Sequence, residues 1–121
     1  MLGYKLMGAG MPGLLVQAAA MDCGSGLTAA GTTQATALSL TNALNGVTTA
    51  ASGTGVVLSP LATAGDSQTI YNGGANALKV YPPSGAAVNG LPANAAFLLA
   101  TKTAVTCHCL TATTWCAVLS A

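Results

Sequence analysis

The chain has 121 residues, 52% of them apolar and only 4% charged, with a formal net charge of +1. Its length suits one ordinary domain, while its charge is about a sixth of the roughly 25% typical of soluble domains. Such a composition excludes charge-driven disorder and offers no basic cluster to a nucleic acid. It also leaves Asp22 and Asp66 as the whole side-chain carboxylate stock for hydrolytic chemistry, with no Glu or Arg beside them. Most enzyme classes are thereby excluded.

Lys5, Lys79 and Lys102 are the only cationic side chains besides His108. So little charge does little to oppose association, so much of the surface is expected to be covered by partners. A membrane span is not expected. The best apolar run, Leu14 to Met21, is interrupted by Gln17 and falls well short of the ~18 residues a span needs.

Residues 1–26 read as an N-terminal arm. Gly3, Gly8, Gly10, Pro12, Gly13, Gly24 and Gly26 punctuate it, and Leu2, Tyr4, Leu6, Met7, Met11, Leu14, Leu15 and Val16 supply apolar contacts. Pro12 could open a short helix that Gly24 closes; an extended arm fits equally well. Lys5, Leu14–Val16 and Ala18-Ala19-Ala20 sketch the outline of a signal peptide, which the glycines and Pro12 break. Gly8-Ala9-Gly10-Met11-Pro12-Gly13 spells G-x-G-x-x-G. It lacks the preceding strand, and Asp22 stands too near to be the acid of a dinucleotide site.

Residues 27–121 have a different rhythm, with short apolar runs between Gly, Asn, Pro and Ser. The pattern predicts strands at 36–44, 46–50, 55–58, 68–72, 77–81, 96–100, 104–110 and 114–119. The even spacing of Leu38, Leu40 and Leu44 favours strand over helix in the Ala-rich first of these. Turns are expected at Asn45-Gly46, Asn72-Gly73-Gly74, Pro82-Pro83-Ser84-Gly85 and Asn89-Gly90. Pro60, Pro82 and Pro92 belong at strand ends or edges, since proline cannot donate to a ladder. Spacing of about 10 residues predicts an all-β fold, a single β-sandwich or barrel of jelly-roll type. No short-period repeat and no heptad is evident.

Cys107-His108-Cys109 and Cys116 invite a zinc reading. On a strand, His108 points away from both neighbouring cysteines, so one tetrahedral site cannot easily gather them. A turn over Thr111–Thr114 would set Cys109 opposite Cys116, as two buried thiols or as a cross-strand disulfide in an oxidising compartment. Four cysteines also admit a secreted β-protein with structural disulfides. Trp115 and Phe97 are expected in the core, whereas Tyr71 and Tyr81 stand close to glycine turns.

The run Thr48-Thr49-Ala50-Ala51-Ser52-Gly53-Thr54-Gly55-Val56-Val57-Leu58-Ser59-Pro60 is followed by Ala64-Gly65-Asp66 and by Ile70-Tyr71-Asn72-Gly73-Gly74-Ala75-Asn76-Ala77-Leu78-Lys79-Val80-Tyr81-Pro82. Then come Gly85, Val88-Asn89-Gly90-Leu91, Asn94-Ala95-Ala96-Phe97 and a Cys/Thr strand leading into Trp115. In order and spacing these resemble a family of small structural proteins of tailed bacteriophages, the capsid decoration (cement) and head-fibre proteins. The resemblance covers roughly residues 27–121. It implies a β-rich, non-enzymatic homotrimer with no cofactor on the outside of the virion capsid, made in the host cytoplasm. The partners it implies are further copies of the chain and the major capsid protein; the apolar arm 1–26 is the segment expected to dock on the latter. A fibre module that stacks Tyr71 and Tyr81 on a host-surface glycan is the alternative. Cys107, Cys109 and Cys116 exceed what the family leads one to expect, and residues 1–26 lie outside the resemblance.

Overall fold

Strands form where β-branched and apolar side chains alternate with small polar ones, and inward-facing positions decide how they stack. The computed structural model describes residues 22–120. Its ten strands are β1 (Cys23–Thr28), β2 (Leu38–Ser39), β3 (Leu44–Thr49), β4 (Gly55–Val57), β5 (Ser67–Asn72), β6 (Leu78–Tyr81), β7 (Ala87–Val88), β8 (Phe97–Leu99), β9 (Thr103–Thr111) and β10 (Thr114–Leu119). There is no helix among the described residues. The all-β character is as expected.

The connectivity differs from a sandwich or barrel of jelly-roll type. Odd-numbered β1, β3 and β5 lie side by side and parallel in one sheet, and even-numbered β2, β4 and β6 do the same in a second. The chain therefore winds as a β-solenoid, laying one strand in each sheet per coil. Antiparallel strands close its growing end. β8 returns beside β6, β9 beside β5 and β10 beside β9, while β7 occupies the far edge next to β10. The six-stranded order is β1-β3-β5-β9-β10-β7 and the four-stranded order is β2-β4-β6-β8.

The core lies between the sheets. In the smaller sheet, Leu38, Val56, Val80 and Phe97 form one inward row across all four strands; Val56 and Val80 are fully buried, and Leu38 and Phe97 are partly so. Val47, Ile70, Val105, Cys107, Cys109 and Trp115 face them from the larger sheet. Corners are held by buried amides rather than by further apolar groups. Gln68 donates to the carbonyls of Leu40 (3.2 Å) and Asn42 (3.1 Å), and its Oε1 accepts the Ser59 N–H at 2.8 Å. Asn72 donates to the carbonyls of Asn76 and Leu99, both at 2.9 Å, and accepts the Gly74 N–H. Each amide satisfies backbone groups that a coil reversal would otherwise bury unpaired.

Several local expectations need correction. The predicted strand over 36–44 is reduced to Leu38–Ser39, because Thr41–Ala43 turn the corner between sheets. Leu44 consequently ends on the outside, 46% exposed, despite its even spacing from buried Leu40. Asn45-Gly46 is no turn. It sits inside β3, with Asn45 buried. Asn89-Gly90 and Gly85 do turn, with φ of 51°, 75° and 85°. Pro60 and Pro82 follow the ends of β4 and β6, and Pro92 lies between β7 and β8. β1 straddles the expected junction between residues 26 and 27, so the ordered sheet begins inside the predicted arm.

Candidate interaction surface

The two sheets present different outer faces. Part of the four-stranded sheet is covered by the chain itself, while Ser39 and Leu98 stay exposed on its outer face. The Tyr81 hydroxyl donates to the Thr32 carbonyl at 3.1 Å, and Gln34 Nε2 donates to the Pro82 carbonyl at 2.7 Å. Gly31 permits this excursion by taking φ of 67°, where an added Cβ would also run into Thr36. Tyr81 is thereby buried to 8% exposure. It is closed to a sugar, contrary to what the glycan alternative requires.

Strand register assembles the outer face of the six-stranded sheet. One transverse row runs Cys23, Leu44, Thr69, Thr106, Val118 across β1, β3, β5, β9 and β10. The hydroxyls of Thr69 and Thr106 meet at 3.1 Å. A second row sets Tyr71 between Gly46 and Ala104, and a third sets Ser67, His108 and Cys116 side by side. Tyr71 is 43% exposed and Val118 61%. The neighbours of Tyr71 across the sheet, Gly46 and Ala104, are small, whereas Leu44 and His108 bring larger side chains to the same face.

None of the described charges stands in these rows. Asp22 precedes β1 and accepts the Ala43 N–H at 3.1 Å; Asp66 precedes β5 and accepts the Thr63 N–H at 2.9 Å. Lys102, at the opposite end, donates to the Gly73 carbonyl at 3.3 Å. Lys79 belongs to the other sheet. The two aspartates share the wall of an open groove of about 520 Å³ between the corners at 41–43 and 59–68. Among the described residues, no three His, Cys, Asp or Glu side chains gather as a metal-ligand set.

The cysteines fall differently from the sequence expectation. A register shift between Thr114 and Trp115 slips the β9–β10 hairpin, pairing Cys109 with Trp115 and Cys116 with His108. Cys107 and Cys109 point into the core and His108 away from them, as strand parity requires. Cys116 joins His108 on the outer face. The hairpin thus separates Cys109 from Cys116 onto opposite faces, and Cys23, Cys107, Cys109 and Cys116 are all free thiols. Burial, with the nearby Cys116 adding to it, pushes the Cys107 thiol up to about 12. Burial and then the Asp66 carboxylate raise Cys109.

Trp115 is buried as expected, and Phe97 packs against the core while partly exposed. The apolar arm residues Leu2, Tyr4, Leu6, Met7, Met11, Leu14, Leu15 and Val16 lie outside the described residues, as does the glycine motif at 8–13. Sequence reasoning missed the bare sheet face. Its signal was present in the uncharged outward positions of β5 and β9, but parallel pairing of β1, β3 and β5 was needed to join them. Among the described residues, no helix is long and apolar enough to cross a membrane. Comparison with protein-family models, curated proteins and solved structures gives no match for this chain.

Proposed function

We propose that this chain is a structural protein of a tailed-phage virion. In this reading it binds the outside of the head as a homotrimer and stabilises the shell, without enzymatic activity, cofactor or nucleic-acid partner. The observation that carries the proposal is a two-sheet solenoid whose larger sheet presents an outer face with no charge in its rows and, among the described residues, no cover. A chain with five charged side chains gains solubility chiefly by sharing surface with partners. The resemblance of residues 27–121 to decoration and head-fibre proteins points the same way. The apolar residues of the 1–26 segment would dock on the major capsid protein, where their burial must exceed the ordering entropy of a glycine-rich stretch.

Capsids that lack this protein provide the test. Purified chain added to them should co-sediment saturably and raise the temperature at which the shells rupture. Removal of residues 1–21, which leaves β1 whole, should weaken that binding at least tenfold. Retention of full binding would refute capsid docking by the arm, and absence of any binding by the intact chain would refute the decoration role. The host-glycan alternative retains Tyr71 alone of its two tyrosines, and a glycan array showing binding abolished by Tyr71→Ala would favour it.

A further inference from the structure

We infer that the outer face of the six-stranded sheet is where copies of this chain pack on one another; this rests on the self-associating reading above and assigns its surface. Several independent observations converge there. The 29–37 loop covers part of the smaller sheet, whose open part sets Lys79 beside exposed Leu98, whereas in the Leu44–Thr69–Thr106–Val118 row Leu44 and Val118 stand 46% and 61% exposed, with no cover from the described residues and no charge among them.

Charge selects the occupant. Cores of interfaces between identical subunits are depleted of charge and more apolar than ordinary surface, and every described charge lies off these rows. A second copy therefore meets no charge within the rows. Lys102 lies beyond their end, its Nζ on the Gly73 carbonyl, a single cation that is too little to hold an anionic polymer. Tyr71 suits the same partner, because it is 43% exposed between the small Gly46 and Ala104 and offers an aromatic contact to a neighbouring copy. The five strands of the rows, about 4.8 Å apart and roughly six residues long, span about 500 Å² in plane. Corrugation brings that to the order of the ~800 Å² each partner gives a standard interface.

Sedimentation velocity on the full chain tests this, using Val118→Lys and Thr106→Arg on the face and Ser39→Lys on the other sheet, with circular dichroism to verify folding. Wild type and Ser39→Lys should sediment as multiples of 11.7 kDa. Both face variants should dissociate at least tenfold more readily. A wild-type assembly that both folded face variants preserve would overturn the assigned surface and leave self-association standing. A lone wild-type particle at high concentration would overturn both. Alkylation of the native Cys116 thiol, half-exposed in this face, supplies a measurement without substitution. Its rate should fall at least fivefold as wild type is concentrated into the assembled form. An unchanged rate, or protection only when capsids are added, would assign the face elsewhere and overturn the inference.

Discussion

The cysteines show how one residue's position on a strand sets its chemistry. Cys107 is completely buried, and its thiol is held up at about 12 against an ordinary value of 9.0. The folded state therefore keeps a proton that the unfolded chain releases on going above pH 9. Stability from this group is intact below that pH and is lost as pH rises toward about 12. The melting temperature should fall across this window, and Cys107→Val should make the fall shallower; thermal scans by circular dichroism at stepped pH measure both. An equal slope in the variant would mean that other groups dominate the alkaline loss. The outward thiols Cys23 and Cys116 lack such burial.

At the scale of elements, buried amides take the place that apolar contacts hold inside the sheets. Asn72 links the end of β5 to the turn at Gly74 and Asn76 and to the β8 carbonyl of Leu99. Asn72→Ala would leave these backbone groups buried without partners, each costing roughly 1–3 kcal/mol. Partial relaxation brings the expected total to about 3 kcal/mol, readable as a lower urea midpoint at unchanged slope. The β9–β10 hairpin shows a second device, a one-residue slip at Thr114/Trp115. It sends the Trp115 indole inward and Cys116 outward. A turn-based count from Thr111–Thr114 gives the other register, because a bulge adds a residue without leaving a mark in the local pattern.

For the whole molecule, scarcity of charge governs behaviour. Association across an uncharged face should be insensitive to ionic strength, since there is little Coulombic energy to screen. Between about 0.1 M and about 1 M salt the screening length falls from ~10 to ~3 Å. Sedimentation profiles should nevertheless superimpose, and a marked shift to the small species at high salt would show that ion pairs hold the assembly. Among the described residues, the edges of the larger sheet are β1 and β7. β1 carries two register shifts and Gly26 at φ of 68°, irregularities that discourage endless edge-to-edge stacking.

Alternation and turn chemistry alone determined that this chain is built of strands, that Pro60, Pro82 and Pro92 bound them, and that His108 faces away from Cys107 and Cys109. These follow from period-two geometry and from proline's missing donor, which act within a few residues. The burial of Trp115, in contrast, needed the slipped register of the β9–β10 hairpin. The solenoid was decided in tertiary structure. Its coils superpose Leu44 on Thr69 and Asn45 on Ile70, positions alike in the side they face and unlike in identity, so no repeat is legible along the chain. Where the 29–37 loop came to rest decided that Tyr81 is closed to solvent, and Cys116 met His108 only through a slipped register. Both are set by contacts between residues distant in sequence, whose free energy belongs to the packed pair and is written in neither segment.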